Sequence, residues 1–187
     1  SYLYTSGTTS APKGVESSHL AIYLGALSLA IDLRMTERDR ALALLPLFHT
    51  SPLNSLCTPA FAAGATFVIR NGFEAEAVLD LFERGRITTM LALPLMYRQL
   101  LDQQLARARD VSRLRLLLYA MAPMPVHELR RLMESFGCDF ALLFGQTEMS
   151  PVTSVFRPEH QLSHSGAVGT PSTNVQVAIM GKDGTLL

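Results

Sequence analysis

The sequence predicts an α/β fold, and three observations carry that expectation. Apolar runs of strand length recur at 41–48, 65–70, 87–93 and 114–119 with little polar alternation, the pattern of strands covered on both faces. Segments with helical spacing of apolar residues lie between those runs, and regular alternation of the two element types marks an α/β domain. Glycine, proline and acidic residues fall at the segment ends, where helix caps and turns need them.

In order, a short strand leads into residues 4–15, and 15–19 reads as the return strand. Residues 20–33 form an apolar, alanine-rich helix, 34–40 a polar connection and 41–48 a buried strand. That run ends at His49. Thr50-Ser51-Pro52 is a good helix start, and the helix runs to Ala63 with Gly64 closing it. Strand 65–70 follows, Asn71-Gly72 turns the chain, and 74–84 is a helix, acidic at its start with Gly85 at its end. Residues 87–93 are a strand, and Pro94 opens a helix with Tyr97, Leu100, Leu101 and Leu105 on one apolar face. After strand 114–119, helix 126–136 keeps Val126, Leu129, Leu132, Met133 and Phe136 at helical spacing and stops at Gly137. Residues 140–144 form the next strand, delivering Gly145-Gln146-Thr147-Glu148 at the edge where open α/β sheets place ligand chemistry. Residues 151–169 read as irregular, and Val175, Val177 and Ile179 alternate as a strand before a final turn at 181–187.

Composition narrows the function. The 187 residues carry zero net formal charge and only 17% charged residues, so no basic face for nucleic acid or acidic lipid is indicated. Hydrophobic residues make up 48% and mean hydropathy is +0.22. Either a larger protein buries these surfaces or the chain touches lipid, which leaves peripheral membrane contact open. No apolar run reaches bilayer-spanning length, and no signal peptide is visible. Cys57 and Cys138 form no metal or redox pattern and sit in apolar settings. They read as small buried hydrophobes in a reducing compartment, so a cytoplasmic location is expected. Both ends look cut through structure, and the chain is expected to be a piece of a longer protein.

The chemistry is concentrated first in residues 4–15, Tyr-Thr-Ser-Gly-Thr-Thr-Ser-Ala-Pro-Lys-Gly-Val. Thr5, Ser6, Thr8, Thr9 and Ser10 can each turn an O–H toward an oxyanion. Gly7 and Gly14 allow close backbone approach, and Lys13 supplies a compact positive charge. Composition alone would also fit a surface turn. The pattern is not the P-loop, because Pro12-Lys13-Gly14 stands where that motif has Gly-Lys-Ser/Thr. The order Thr-Ser-Gly-Thr-Thr-x-x-Pro-Lys-Gly-Val closely resembles the signature loop of the adenylate-forming (AMP-binding) superfamily, which includes acyl-CoA synthetases, luciferase-like ligases and peptide-synthetase adenylation domains. Ser10 stands where the family usually has Gly. The resemblance implies a loop that holds the β- and γ-phosphates of ATP.

A second stretch, Phe144-Gly145-Gln146-Thr147-Glu148, would by itself be a tight turn with an exposed carboxylate. In company with the first loop it resembles the family's aromatic-Gly-x-Thr-Glu motif, with Phe where Tyr is more usual. The resemblance implies that Phe144 stacks on adenine, Thr147 bonds the α-phosphate, Gly145 and Gln146 complete the nucleotide site, and Glu148 ligates Mg²⁺, which prefers hard oxygen ligands. Ala120-Met121-Ala122-Pro123 falls where the family has a turn against the adenine, which places Ala122 and Pro123 there. Gly166-Ala167-Val168-Gly169-Thr170-Pro171 resembles a further family turn.

His49 is a weaker signal, since a lone histidine at a strand end is more often structural and nothing nearby in sequence fixes its tautomer. The acyl-CoA synthetase branch has an aromatic-His pair here, at the mouth of the acyl pocket. Peptide-synthetase domains usually carry Asp at or beside this position, and residues 42–63 hold no acid. His19, His127, His160 and His164 have no ligand spacing and read as surface or packing residues.

The resemblance implies a partial multilayer α/β N-terminal domain, truncated at both ends, with 171–187 entering a small β subdomain and the C-terminal domain lying beyond. It implies ATP, Mg²⁺, CoA and a carboxylic acid with an apolar tail as ligands, with Thr8, Lys13, His49 and Glu148 closest to the chemistry. It further implies that the 187 residues alone are inactive. Three readings stand at this point: an acyl-CoA synthetase, another adenylating enzyme, and a nucleotide-binding module without catalysis.

Overall fold

The computed structural model describes residues 1–6 and 11–187; Gly7, Thr8, Thr9 and Ser10 lie outside them. β1 (Tyr2–Thr5) and β2 (Lys13–Glu16) form an antiparallel ribbon with Thr5 opposite Lys13. The main sheet contains β3 (Arg40–Ala43), β4 (Thr66–Ile69), β5 (Thr89–Ala92), β6 (Leu116–Tyr119), β7 (Asp139–Gly145), β8 (Val152–Phe156) and β9 (Thr170–Pro171). Its order is β4-β3-β5-β6-β7-β8-β9, parallel as far as β7 and antiparallel beyond it. Among the described residues six α-helical segments accompany it: α1 (His19–Asp32), α2 (Thr50–Pro52), α3 (Thr58–Ala62), α4 (Ala75–Gly85), α5 (Pro94–Ala106) and α6 (Val126–Phe136). Residues Leu53–Cys57 join α2 to α3 as a π-helical turn.

The unbroken apolar runs have the expected cause. Met90, Leu117 and Phe140 stand in register across β5, β6 and β7 and enter one core with Val78, Phe82, Leu100 and Leu132 from α4, α5 and α6. The next row, Leu91, Leu118 and Ala141, faces the opposite way, toward Leu29 of α1, Leu56 of the π-turn and Ala60 of α3. Helices therefore cover both faces, and the central strands are apolar along nearly their whole length, with Thr89 a buried exception in β5. The chain runs from β3 outward to β4, then back past β3 to β5.

Several expectations need correction. The strand expected over 41–48 ends at Ala43, because Pro46 has no N–H to offer a central ladder, and Phe48 is exposed. Helix α4 continues through Gly85, and the left-handed residue is Arg86 (φ 51°); the Gly85 carbonyl accepts from Arg40 Nε at 2.8 Å. Within the stretch expected to be irregular, 152–156 is strand β8. A bulge between Phe144 and Gly145 lets Thr153 slip out of register, so Val152 and Val155 share one face three residues apart; that broken period hid the strand. Val175, Val177 and Ile179 form no ladder. Among the described residues the pairing there is a Met180–Leu186 bridge around the final turn.

Two buried carboxylates clamp the outer elements. Asp32, at the end of α1, accepts from Arg157 (2.8 Å), Ser172 Oγ (2.6 Å), and the Thr173 N–H (3.1 Å) and hydroxyl (2.8 Å). Asp39 holds Arg115 through two bonds of 3.1 Å and accepts from Thr88 Oγ1 at 2.7 Å. Burial pushes both carboxyls up, but the bonds outweigh it and hold them below the usual carboxylate range. Their contribution is therefore full above the unfolded-state value of about 4 and is lost as pH falls through the lower folded value. Asp32→Ala takes the carboxylate from Arg157, Ser172 and Thr173, leaving Arg157 only its bond to the residue-32 carbonyl at 3.2 Å, and is expected to cost about 3 kcal/mol; thermal melts at neutral and acid pH check this, and the gap from wild type should narrow at the acid end.

Candidate functional site

A cavity of about 650 Å³ opens at the carboxyl edge of β6 and β7. It gathers residues far apart in sequence: Thr5 at the end of β1 and Ser6 after it, His49 at the start of α2, Ala122 and Pro123 after β6, and Phe144, Gly145, Gln146, Thr147 and Glu148 at and beyond the end of β7. Lys13 and Gly14 lie on β2 and do not line it; Lys13 is exposed on the ribbon opposite Thr5. Thr8 and Thr9 fall outside the described residues, as does Gly7.

The Phe144–Glu148 segment is shaped by Gly145. A Cβ there would lie 2.0 Å from the Pro151 carbonyl oxygen and 2.8 Å from Val152 Cα, so only glycine lets the returning backbone close against β7. Thr147–Met149 then forms a short 3-10 turn. Ser150 adopts φ 54° and donates from Oγ to Ser17 Oγ at 3.2 Å. That bond ties the Thr147–Glu148 turn to the chain leaving β2, so the two stretches singled out by sequence are physically linked. Phe144 is half exposed, and Glu148 is exposed with no ion pair among the described residues. An open aromatic face and a free carboxylate beside a threonine suit a nucleotide base and a hard cation.

His49 caps α2, its Nδ1 accepting from the Ser51 N–H at 3.1 Å. An accepting Nδ1 puts the ring proton on Nε2, so the backbone two residues on does fix the tautomer, contrary to the expectation from sequence. The ring offers the cavity a donor.

Sequence reasoning missed Tyr119 and Gln161. Tyr119 donates to Gln161 Oε1 at 2.7 Å, and Gln161 Nε2 donates to the Phe156 carbonyl at 2.6 Å. Both side chains are buried and line the cavity. Burial pushes the Tyr119 hydroxyl up to about 12, so it stays a neutral donor. Gln161 lay in the stretch read as irregular and carried no signal. Burial likewise raises the Cys57 thiol to about 11 and that of Cys138 to about 12, which fits inert packing residues. Among the described residues no cluster of three or more His, Cys, Asp or Glu could hold a metal, and no helix is long and apolar enough to cross a membrane.

Fold and cavity together define a class, an α/β domain with a mostly parallel sheet and a cavity at its carboxyl edge. The family is narrower: the profile described as "AMP-binding enzyme" matches residues 1–187, and the chain belongs to that family. Similar proteins include a feruloyl-CoA synthase of Amycolatopsis sp, 31% identical over 182 residues, 97% of this chain and 37% of the relative. An indoleacetate–CoA ligase of Aromatoleum aromaticum is 33% identical over 97% of this chain and 35% of its own length. The fold matches the N-terminal domain of FACL13 from Mycobacterium tuberculosis (TM-score 0.92, 27% identity, 100% of this chain, 46% of that one). It also matches the o-succinylbenzoate coenzyme A synthetase of Bacillus subtilis in complex with ATP and magnesium (TM-score 0.88, 30% identity, 100% and 38%). The chain spans just over a third of the length of these curated relatives.

Proposed function

We propose that these residues belong to a longer acyl-CoA synthetase that activates a carboxylic acid as its adenylate and transfers the acyl group to CoA. The observation that carries this reading is the convergence of Thr5, Ser6, His49, Ala122, Pro123 and Phe144–Glu148 on one cavity, in a chain whose relatives are named CoA ligases. The substrate carboxylate attacks the α-phosphorus of ATP and pyrophosphate leaves; the thiol of CoA then attacks the acyl carbonyl and AMP leaves. The first step brings two anions together, so the site must neutralise charge and hold both in line. Thr147 bonds the α-phosphate, Phe144 stacks on the base against Ala122 and Pro123, and His49 donates from Nε2 at the mouth of the acid pocket. Glu148 is the carboxylate that would hold Mg²⁺, which supplies charge neutralisation on the phosphate oxygens. The loop 5–14, with Thr8, Thr9 and Lys13, receives the leaving pyrophosphate.

The acid has a largely apolar body, a reading supported by Leu142, Leu143 and Val152 on the cavity wall and by the lack of acidic residues over 42–63. We place the protein in the cytoplasm, on the strength of its unpaired thiols. The N-terminal catalytic domain extends beyond these residues, 171–187 begins a small β subdomain, and a separate C-terminal domain completes the site. The full-length enzyme should consume ATP to AMP and pyrophosphate in step with acyl-CoA, whereas ADP and phosphate as products would refute the mechanism. The 187-residue piece alone should make no acyl-CoA.

A further inference from the structure

We propose that His160 and His164 form a surface site for a divalent transition-metal ion such as Zn²⁺, and that the bound ion braces the 158–168 loop beside the cavity. The site involves neither nucleotide nor acid and stands apart from the ligase reading. The two residues, read from sequence as surface or packing histidines, share one helical turn. After β8 the chain makes a short 3-10 turn, Pro158–His160, and continues so that the His164 N–H donates to the His160 carbonyl at 3.0 Å. Residues four apart on such a turn share a face, and two histidines at that spacing are a recurrent zinc-holding pair. Both residues are exposed, and their rings meet edge to face with centres 5.2 Å apart. Two imidazoles bound through Zn–N bonds of roughly 2 Å at a tetrahedral ion have their centres about 5 Å apart. The observed separation already fits a shared ion.

A second observation is the placement of Ser163. Its hydroxyl donates to the His160 carbonyl at 3.3 Å and lies 2.8 Å from His164 Nδ1. With its one proton given to the carbonyl it accepts from Nδ1–H, which leaves the lone pair of His164 on Nε2. A ligating histidine commonly donates its other ring N–H in this way, which fixes the tautomer and raises the basicity of the ligand. Among the described residues the His160 ring makes no hydrogen bond or ion pair. Imidazole suits Zn²⁺, Ni²⁺ and Cu²⁺, whereas Mg²⁺ takes oxygen ligands, so the pair does not compete with Glu148 for its ion. Water fills the remaining coordination positions. The pair brackets Gln161, which binds Tyr119 and the Phe156 carbonyl, and Ser165, Gly166, Ala167 and Val168 directly after it line the cavity. An ion joining 160 to 164 therefore closes the turn that sets both.

The test titrates the full-length protein with Zn²⁺ in excess Mg²⁺ by calorimetry and follows amide hydrogen exchange over 158–168. Wild type should bind one equivalent more than His160→Ala, His164→Ala or the double variant. Ser163→Ala should keep that equivalent and weaken it about 10-fold or more. Zn²⁺ should slow exchange over 158–168 in wild type and leave it unchanged in the double variant. Melting temperature without Zn²⁺ reports whether each variant folds, and His160→Gln with His164→Gln repeats the comparison if an alanine variant does not. The same stoichiometry in wild type and double variant overturns the site. Loss of the equivalent with exchange over 158–168 indifferent to Zn²⁺ in wild type overturns the bracing role.

Discussion

Glu148→Ala in the full-length enzyme is expected to lower the rate of adenylate formation by about 10²- to 10³-fold while leaving stability within about 0.5 kcal/mol of wild type. The two effects separate because Glu148 is exposed, makes no ion pair among the described residues and sits on a 3-10 turn held by its neighbours. Its carboxylate supports nothing in the fold, so its removal is felt only by what enters the cavity. The rate at saturating ATP over a Mg²⁺ titration, with a thermal melt alongside, measures both. Equal losses of rate and stability would return Glu148 to an ordinary surface residue.

Gly145→Ala should do the opposite and fail on both counts. The added Cβ meets backbone, not a side-chain end that can swing away, so β8 must move off β7. A cost of about 3 kcal/mol is expected, at the upper end for overpacking. The displaced strand carries Thr147 and Glu148 with it, and a shift near 1 Å at a reacting site costs about 10²-fold in rate. Gly85→Ala is the internal contrast. A Cβ there finds only ordinary contacts at 3.7 Å and beyond, and the change should stabilise the end of α4 by about 0.5 kcal/mol. Chemical denaturation of the three proteins under one condition ranks them, and a neutral Gly145→Ala would mean that β7 and β8 do not pack as described.

The parallel half of the sheet was legible because its physics is local and repeated. Strands covered on both faces are apolar along most of their length, and α6 announced both its ends, down to Gly137 at φ 61°. The antiparallel half was not legible, because β8 pairs through a bulge that breaks the two-residue period. The residues quoted from the motifs at Phe144 and His49 line the cavity, the first at the end of β7 and the second at the start of α2, six residues after β3 ends. Gln161 was invisible: its role depends on Tyr119, 42 residues earlier, reaching it across the fold. The tautomer of His49 likewise needed the backbone geometry of Ser51.

The most direct test of the central claim is carboxylate-dependent exchange of labelled pyrophosphate into ATP by the full-length enzyme without CoA, because it isolates the step assigned to this cavity. The account predicts exchange that requires Mg²⁺, appears with fatty or aryl acids and not with amino acids, and is lost in Glu148→Ala. MgATP binding without exchange across the whole panel would contradict it and leave a nucleotide-binding module; exchange with amino acids alone would contradict the acyl-CoA synthetase reading.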